Sequence, residues 1–187
     1  MRGWMASGAA LTLLAGAALA HNGATTLGRK DIEHIMAAAR ASQDVVQARI
    51  LHETPAQITE ELNASLSDRT KIIYTPGYGV YVEYSAADGR DRMWFPRNPH
   101  VVEGHWGVKT VGGGPRACFH YLKSHDAMTG EFEPTECIDP AETLANMGVI
   151  DTRPGDAFGL LSGAIPYVKD PGEVPAWPSV PVAAKMQ

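Results

Sequence analysis

Four of the seven histidines, His100, His105, His120 and His125, fall between positions 100 and 125. Imidazoles this dense can hold a divalent metal or pass a proton, provided the backbone brings them together. The stretches 104–109 and 117–121 flank a glycine-rich turn, Gly112-Gly113-Gly114-Pro115. A hairpin centred on Gly112-Gly113 sets His105 opposite His120 and Trp106 opposite Phe119. Directly opposed residues have Cβ atoms about 4.5–5.5 Å apart, close enough to share an ion. The same register puts Trp106, Val108, Ala117, Phe119 and Tyr121 on one apolar face, with Cys118 and the two histidines on the other. Zinc takes three or four ligands, so a third must come from elsewhere. The Ser124–Glu136 loop, tied over the histidines by Cys118, can offer His125, Asp126 or Glu131. The candidate metal set is His105, His120 and His125, for zinc or copper. The plainer expectation is a wet sheet face whose two imidazoles hold no cofactor.

Other motifs carry less. Ser124-His125-Asp126 contains the letters of a catalytic triad, but adjacent loop residues do not converge as a triad must. Gly159-Leu160-Leu161-Ser162-Gly163 misses the nucleophile-elbow spacing by one residue. Met128 and Gly130 stand where a calcium loop around Asp126 needs oxygen donors. The Gly112–Gly114 turn lacks the Lys-Ser/Thr and helix of a phosphate cradle. Aromatic residues are concentrated at Tyr78, Tyr81, Tyr84, Trp94, Phe95, Trp106, Phe119 and Tyr121. Most should be core, because a sheet of short strands needs large side chains. Tyr81 alternates against Val80 and Val82, so some rings face elsewhere, and a pocket between sheet and C-terminal tail is expected there.

The N-terminus reads as an address. Arg2 charges a short leading segment, Ala6 to Ala20 is a run of Ala, Leu and Gly, and Ala18-Leu19-Ala20 suits a signal peptidase, with cleavage before His21. About 15 weakly apolar residues are too few to span hydrocarbon, and the mature chain offers no other candidate span. A mature N-terminal His21 would present its α-amino group and ring in an arrangement that resembles the histidine brace of copper oxygenases. The expected location is periplasmic or secreted. In an oxidising compartment the lone pair Cys118 and Cys137 is most simply a disulfide. The formal net charge of −5, one lower once Arg2 is cleaved away, gives no bulk attraction to nucleic acid or anionic lipid.

The elements that must position these residues follow from periodicity. Ile32, Ile35, Met36 and Ala39 mark a helix. Val45, Val46, Ile50 and Leu51 continue as helix or strand, which spacing alone does not decide. Thr54-Pro55-Ala56-Gln57 restarts a helix with a cap, a proline at its first position and a capping box. From Lys71 the period becomes strand-like. Ile72-Ile73-Tyr74, then Val80 to Tyr84, then Arg92 to Phe95 after the Asp88-Gly89 turn, lead into the glycine-centred hairpin. Asp139-Pro140 starts a short helix that Gly148 ends. Pro171, Pro175, Pro178 and Pro181 space an extended tail that drapes over the sheet through Val174 and Trp177 or stays unstructured. The predicted fold class is α+β: N-terminal helices, then an antiparallel β-meander of four to five strands, then an irregular Pro-rich tail. Residues 1–20 form the signal peptide and 21–170 a single domain, helical over 21–68, β-meander over 71–138, helix and loops over 139–170. Residues 171–187 form the tail.

Tyr78 to Cys137 has the skeleton Gly77-Tyr78-Gly79, Asp88-Gly89-Arg90, Trp94-Phe95-Pro96, Gly104-His105-Trp106, Cys118-Phe119-His120-Tyr121 and Cys137. It is similar to small exported bacterial β-meander proteins of unassigned function. The resemblance covers about a third of the chain, implies architecture and export, and assigns no catalytic residue. The expectation from sequence is a non-enzymatic binding or structural module of the cell envelope, partnered by a small ligand or an envelope protein. The alternatives are a metal-binding or hydrolytic protein using His105 and His120, and a partner-binding protein using the acidic 126–136 loop.

Overall fold

The computed structural model describes residues 25–95, 98–126, 128–163, 165, 170 and 172–178. The signal-like segment 1–20, His21 and the tail beyond 178 lie outside the described residues.

Two helices come first, α1 (Arg29–Ile50) and α2 (Pro55–Leu66). The first runs unbroken through 42–44, which resolves the Val45–Leu51 stretch as helix up to Ile50. Its least exposed stripe passes through Ile32, Ile35, Ala39 and Ile50. The capping box at α2 forms as expected: the Gln57 N–H donates to Thr54 Oγ1 and the Thr54 N–H donates to Gln57 Oε1.

Among the described residues the sheet has seven antiparallel strands rather than four to five. In chain order they are β1 (Arg69–Thr75), β2 (Gly79–Ser85), β3 (Arg90–Trp94), β4 (Val102–Val111), β5 (Gly114–Leu122), β6 (Thr135–Ile138) and β7 (Val149–Pro154). The first six form a meander. A short helix, α3 (Pro140–Leu144), then returns the chain so that β7 pairs with β1 at the opposite edge. The two strands beyond the predicted set are the edges. β6 is only 4 residues long, and the second half of β7, Thr152 to Pro154, is exposed. Edge strands of this kind carry no clean alternation for a sequence reading to find. α3 ends at Leu144, and both Asn146, at φ +54°, and Gly148, at φ +72°, take left-handed steps beyond it.

Among the described residues, each face of the sheet is covered on one half only. On the side of Val80, Val82 and Tyr84, a core over β1–β3 is closed by Phe158, Leu160 and Val174. Trp177 packs on Phe158 with ring centroids 5.1 Å apart, and its Nε1 donates to Asp151 Oδ2 at 2.6 Å. The tail therefore drapes as far as residue 178, and Glu173–Val174 forms a short ladder with Thr25–Thr26. On the other side, Leu62, Leu66 and Ile50 pack on Trp106, Ala117 and Phe119 of β4 and β5. The uncovered halves are the β4–β6 end of the first side and the β1–β3 end of the second. No helix among the described residues is long and apolar enough to cross a membrane.

Candidate functional site

The glycine-centred hairpin has the predicted register: His105 opposes His120, Trp106 opposes Phe119 and Val111 opposes Gly114. Gly112 and Gly113 both have positive φ, +62° and +89°, which is the two-residue turn whose twist matches the strands. Trp106 is buried, and its Nε1 donates to the Ala86 carbonyl at 2.8 Å, pinning the Asp88-Gly89 turn to β4. Cys118 is bonded to Cys137, its direct neighbour on β6.

The first uncovered half carries the histidine pair. His105 is exposed and His120 half-buried, on a groove of about 380 Å³ that Lys109, Cys118 and Thr135 also line. His120 Nδ1 lies 2.9 Å from Thr135 Oγ1. The disulfide loop does not lie over them. Because β6 pairs alongside β5, the 123–134 segment leans to the opposite side. There the Tyr78 hydroxyl donates to Asp126 Oδ2 at 2.5 Å. His125 goes with this loop, its Nδ1 3.2 Å from the Gly130 carbonyl oxygen, and lines the cavity on that side. Among the described residues no group of three or more His, Cys, Asp or Glu side chains converges as metal ligands do.

The second uncovered half is an open cavity of about 1550 Å³, large against the roughly 300–1,000 Å³ of small-molecule sites. It lies away from the described tail residues, a different place from the pocket expected between sheet and tail. The tail's apolar residues take the Val80–Val82–Tyr84 side, so the Tyr81–Glu83 side is the one left open. Rings form its wall: Phe95 lies 5.4 Å from Tyr78 and 5.2 Å from Tyr81, centroid to centroid. Burial and the bond to Asp126 push the Tyr78 phenol up to about 12, while that bond holds Asp126 below its ordinary value.

The floor is polar. Lys71 on β1 directly opposes Glu83 on β2. Ser85, Asp91, Gly104 and Tyr121 form one line across β2 to β5. The Tyr121 hydroxyl reaches diagonally across that line to donate to Glu83 Oε1 at 3.1 Å. Gly104 makes this possible, since a Cβ there would meet the His120 carbonyl oxygen at 2.8 Å and Tyr121 Cδ1 at 3.1 Å. Ser85 Oγ donates to Asp91 Oδ1 at 3.0 Å. Asp91 Oδ2 is sealed from water and meets no N–H or hydroxyl donor. Asp91 and Glu83 lie on the same face, one step apart along the β2–β3 ladder, so the charge of one opposes ionisation of the other. Burial, then the Glu83 charge, raises Asp91 well above its ordinary value. Burial also raises Glu83, against the opposing pull of Lys71. Burial lowers Lys71, against the pull of Glu83.

The rings of this site are legible in the sequence; its floor is not. A charged residue in an alternating strand reads as solvent-facing. Lys71, Glu83 and Asp91 become notable only once β1–β3 are known to be covered on the opposite side. The available signal was register: the Asp88-Gly89 hairpin puts Ser85 opposite Asp91, which places Glu83 and Asp91 on one face.

No protein family, no curated protein and no solved structure matches the chain.

Proposed function

We propose that the chain is a non-enzymatic binding module of an exported protein, and that its concave sheet face takes a small, largely apolar ligand. The observation that carries this reading is the β1–β3 half of that face, uncovered among the described residues, where stacked rings and a buried polar floor line an open cavity. Burying ionisable groups costs free energy, and a fold that needed only a core would fill this space with Val, Ile and Leu. Six carboxylate residues line the cavity (Glu83, Glu103, Asp126, Glu131, Glu136 and Glu142) against Lys71 and Lys123. An uncharged or cationic head group suits that field, and a carboxylate does not. The disulfide and the signal-like leader are compatible with an oxidising compartment.

Calorimetric titration of the oxidised chain with three six-carbon probes tests the reading. Hexan-1-ol and hexylammonium should bind, hexanoate more weakly, and Tyr81→Ala should remove binding. Failure of all three probes, or binding indifferent to Tyr81→Ala, would overturn it.

Direct opposition of His105 and His120 favours a second reading, a metal-binding or hydrolytic role on the other side. Stoichiometric zinc or copper in untagged protein, lost in a His105→Ala/His120→Ala double variant, would establish that reading instead.

A further inference from the structure

Lys71 is an anomaly on the cavity floor. The residue is almost wholly buried (6% exposed) yet lines the cavity. Nothing among the described residues hydrogen-bonds its Nζ. Buried lysines are ordinarily paired, because the ammonium loses water's solvation. Glu83, directly opposite, favours the ammonium, but burial is the larger influence and holds the amine below its ordinary value. A buried amine that lines a cavity, its ammonium disfavoured by burial and a carboxyl group opposite it to relay protons, is the arrangement that adds to carbonyl carbon.

We infer that Lys71 captures a neutral aldehyde or ketone as an imine on the cavity floor, with Glu83 and Asp91 supplying and receiving the protons. This rests on the cavity being a ligand site, and it names the ligand class. Lys71 Nζ forms a bond to the carbonyl carbon while the carbonyl oxygen takes a proton from the Glu83 carboxyl. The nitrogen returns a proton to the carboxylate, giving a carbinolamine. The carboxyl then protonates the new hydroxyl, which leaves as water, and the protonated imine remains beside ionised Glu83. One water is released and nothing is oxidised or reduced, so hydrolysis reverses the capture. The acidic lining disfavours keto acids, which leaves uncharged carbonyl compounds with an apolar chain suited to the Tyr78, Tyr81 and Phe95 rings.

Incubation of the full chain with hexanal and cyanoborohydride, followed by peptide mapping, tests this. One hexyl group per chain should appear at Lys71, about a hundredfold faster than at Lys30, Lys109 or Lys123, the size of effect a positioned proton donor supplies. Lys71→Met should remove that adduct while labelling at Lys30, Lys109 and Lys123 is unchanged. Glu83→Gln should slow labelling of Lys71 but not of Lys30, Lys109 or Lys123. If hexan-1-ol binds but Lys71 labels no faster than the surface lysines, the capture is wrong and the binding reading stands. If neither compound binds, both are wrong.

Discussion

At the level of single residues, Gly104 and Asp91 make the sharpest demands. Gly104→Ala has no room, so the β4 backbone or the Tyr121 ring must move, and Tyr121 loses its hold on Glu83. Overpacking of this kind costs about 1–3 kcal/mol, measured by guanidinium titration. Gly107, three residues on in the same strand, has open space where a methyl group would sit, with no atom within 4 Å. Gly107→Ala should therefore stay within about 0.5 kcal/mol of the native chain. Equal costs at the two positions would contradict the close approach of Tyr121. Asp91 sets a pH dependence. It lies among Glu83, Ser85, Arg92 and Tyr121, with Lys71 beyond Glu83, and keeps its proton to higher pH than the unfolded chain does. Its contribution to stability is complete below the ordinary value of 3.8 and is lost as pH rises above it. Asp91→Asn cannot ionise, so its melting temperature relative to the native chain should climb from pH 4 to pH 7. A constant difference across that range would mean that Asp91 is ionised in the folded state. These residues were poorly legible in the sequence because alternation assigns a side but says nothing about what covers that side.

At the level of elements, the β4–β5 hairpin organises its surroundings. Its register was legible because two adjacent glycines fix the turn and an apolar row fixes the face. Trp106→Ala removes a buried indole from the α2–sheet core together with its bond to the β2–β3 turn. A loss of about 3–5 kcal/mol is expected from denaturant unfolding, whereas a loss below about 1 kcal/mol would place the indole outside the core. The disulfide holds β6 to the sheet across a separation of 19 residues. Reduction should cost about 3 kcal/mol by chain entropy, read as a lower unfolding midpoint in reductant, and an unchanged midpoint would refute a stabilising bridge. The edge strands β6 and β7 were illegible for a physical reason. A strand paired on one side only is selected for being short and polar, which erases the pattern that would announce it.

At the level of the whole molecule, function follows from incomplete coverage. Helices protect one end of one sheet face, and the tail protects the other end of the opposite face. Among the described residues, the areas left open include a histidine groove of about 380 Å³ and a ring-walled cavity of about 1550 Å³. Neither choice of coverage is written locally in the sequence, since it depends on α3 carrying the chain across to β7 and on the tail following it. Amide chemical-shift mapping during titration with hexan-1-ol distinguishes the two areas directly. Shifts should concentrate at Lys71, Tyr81, Glu83, Met93 and Tyr121. Shifts confined to His105, His120 and Thr135, or none at all, would contradict the cavity as the binding site.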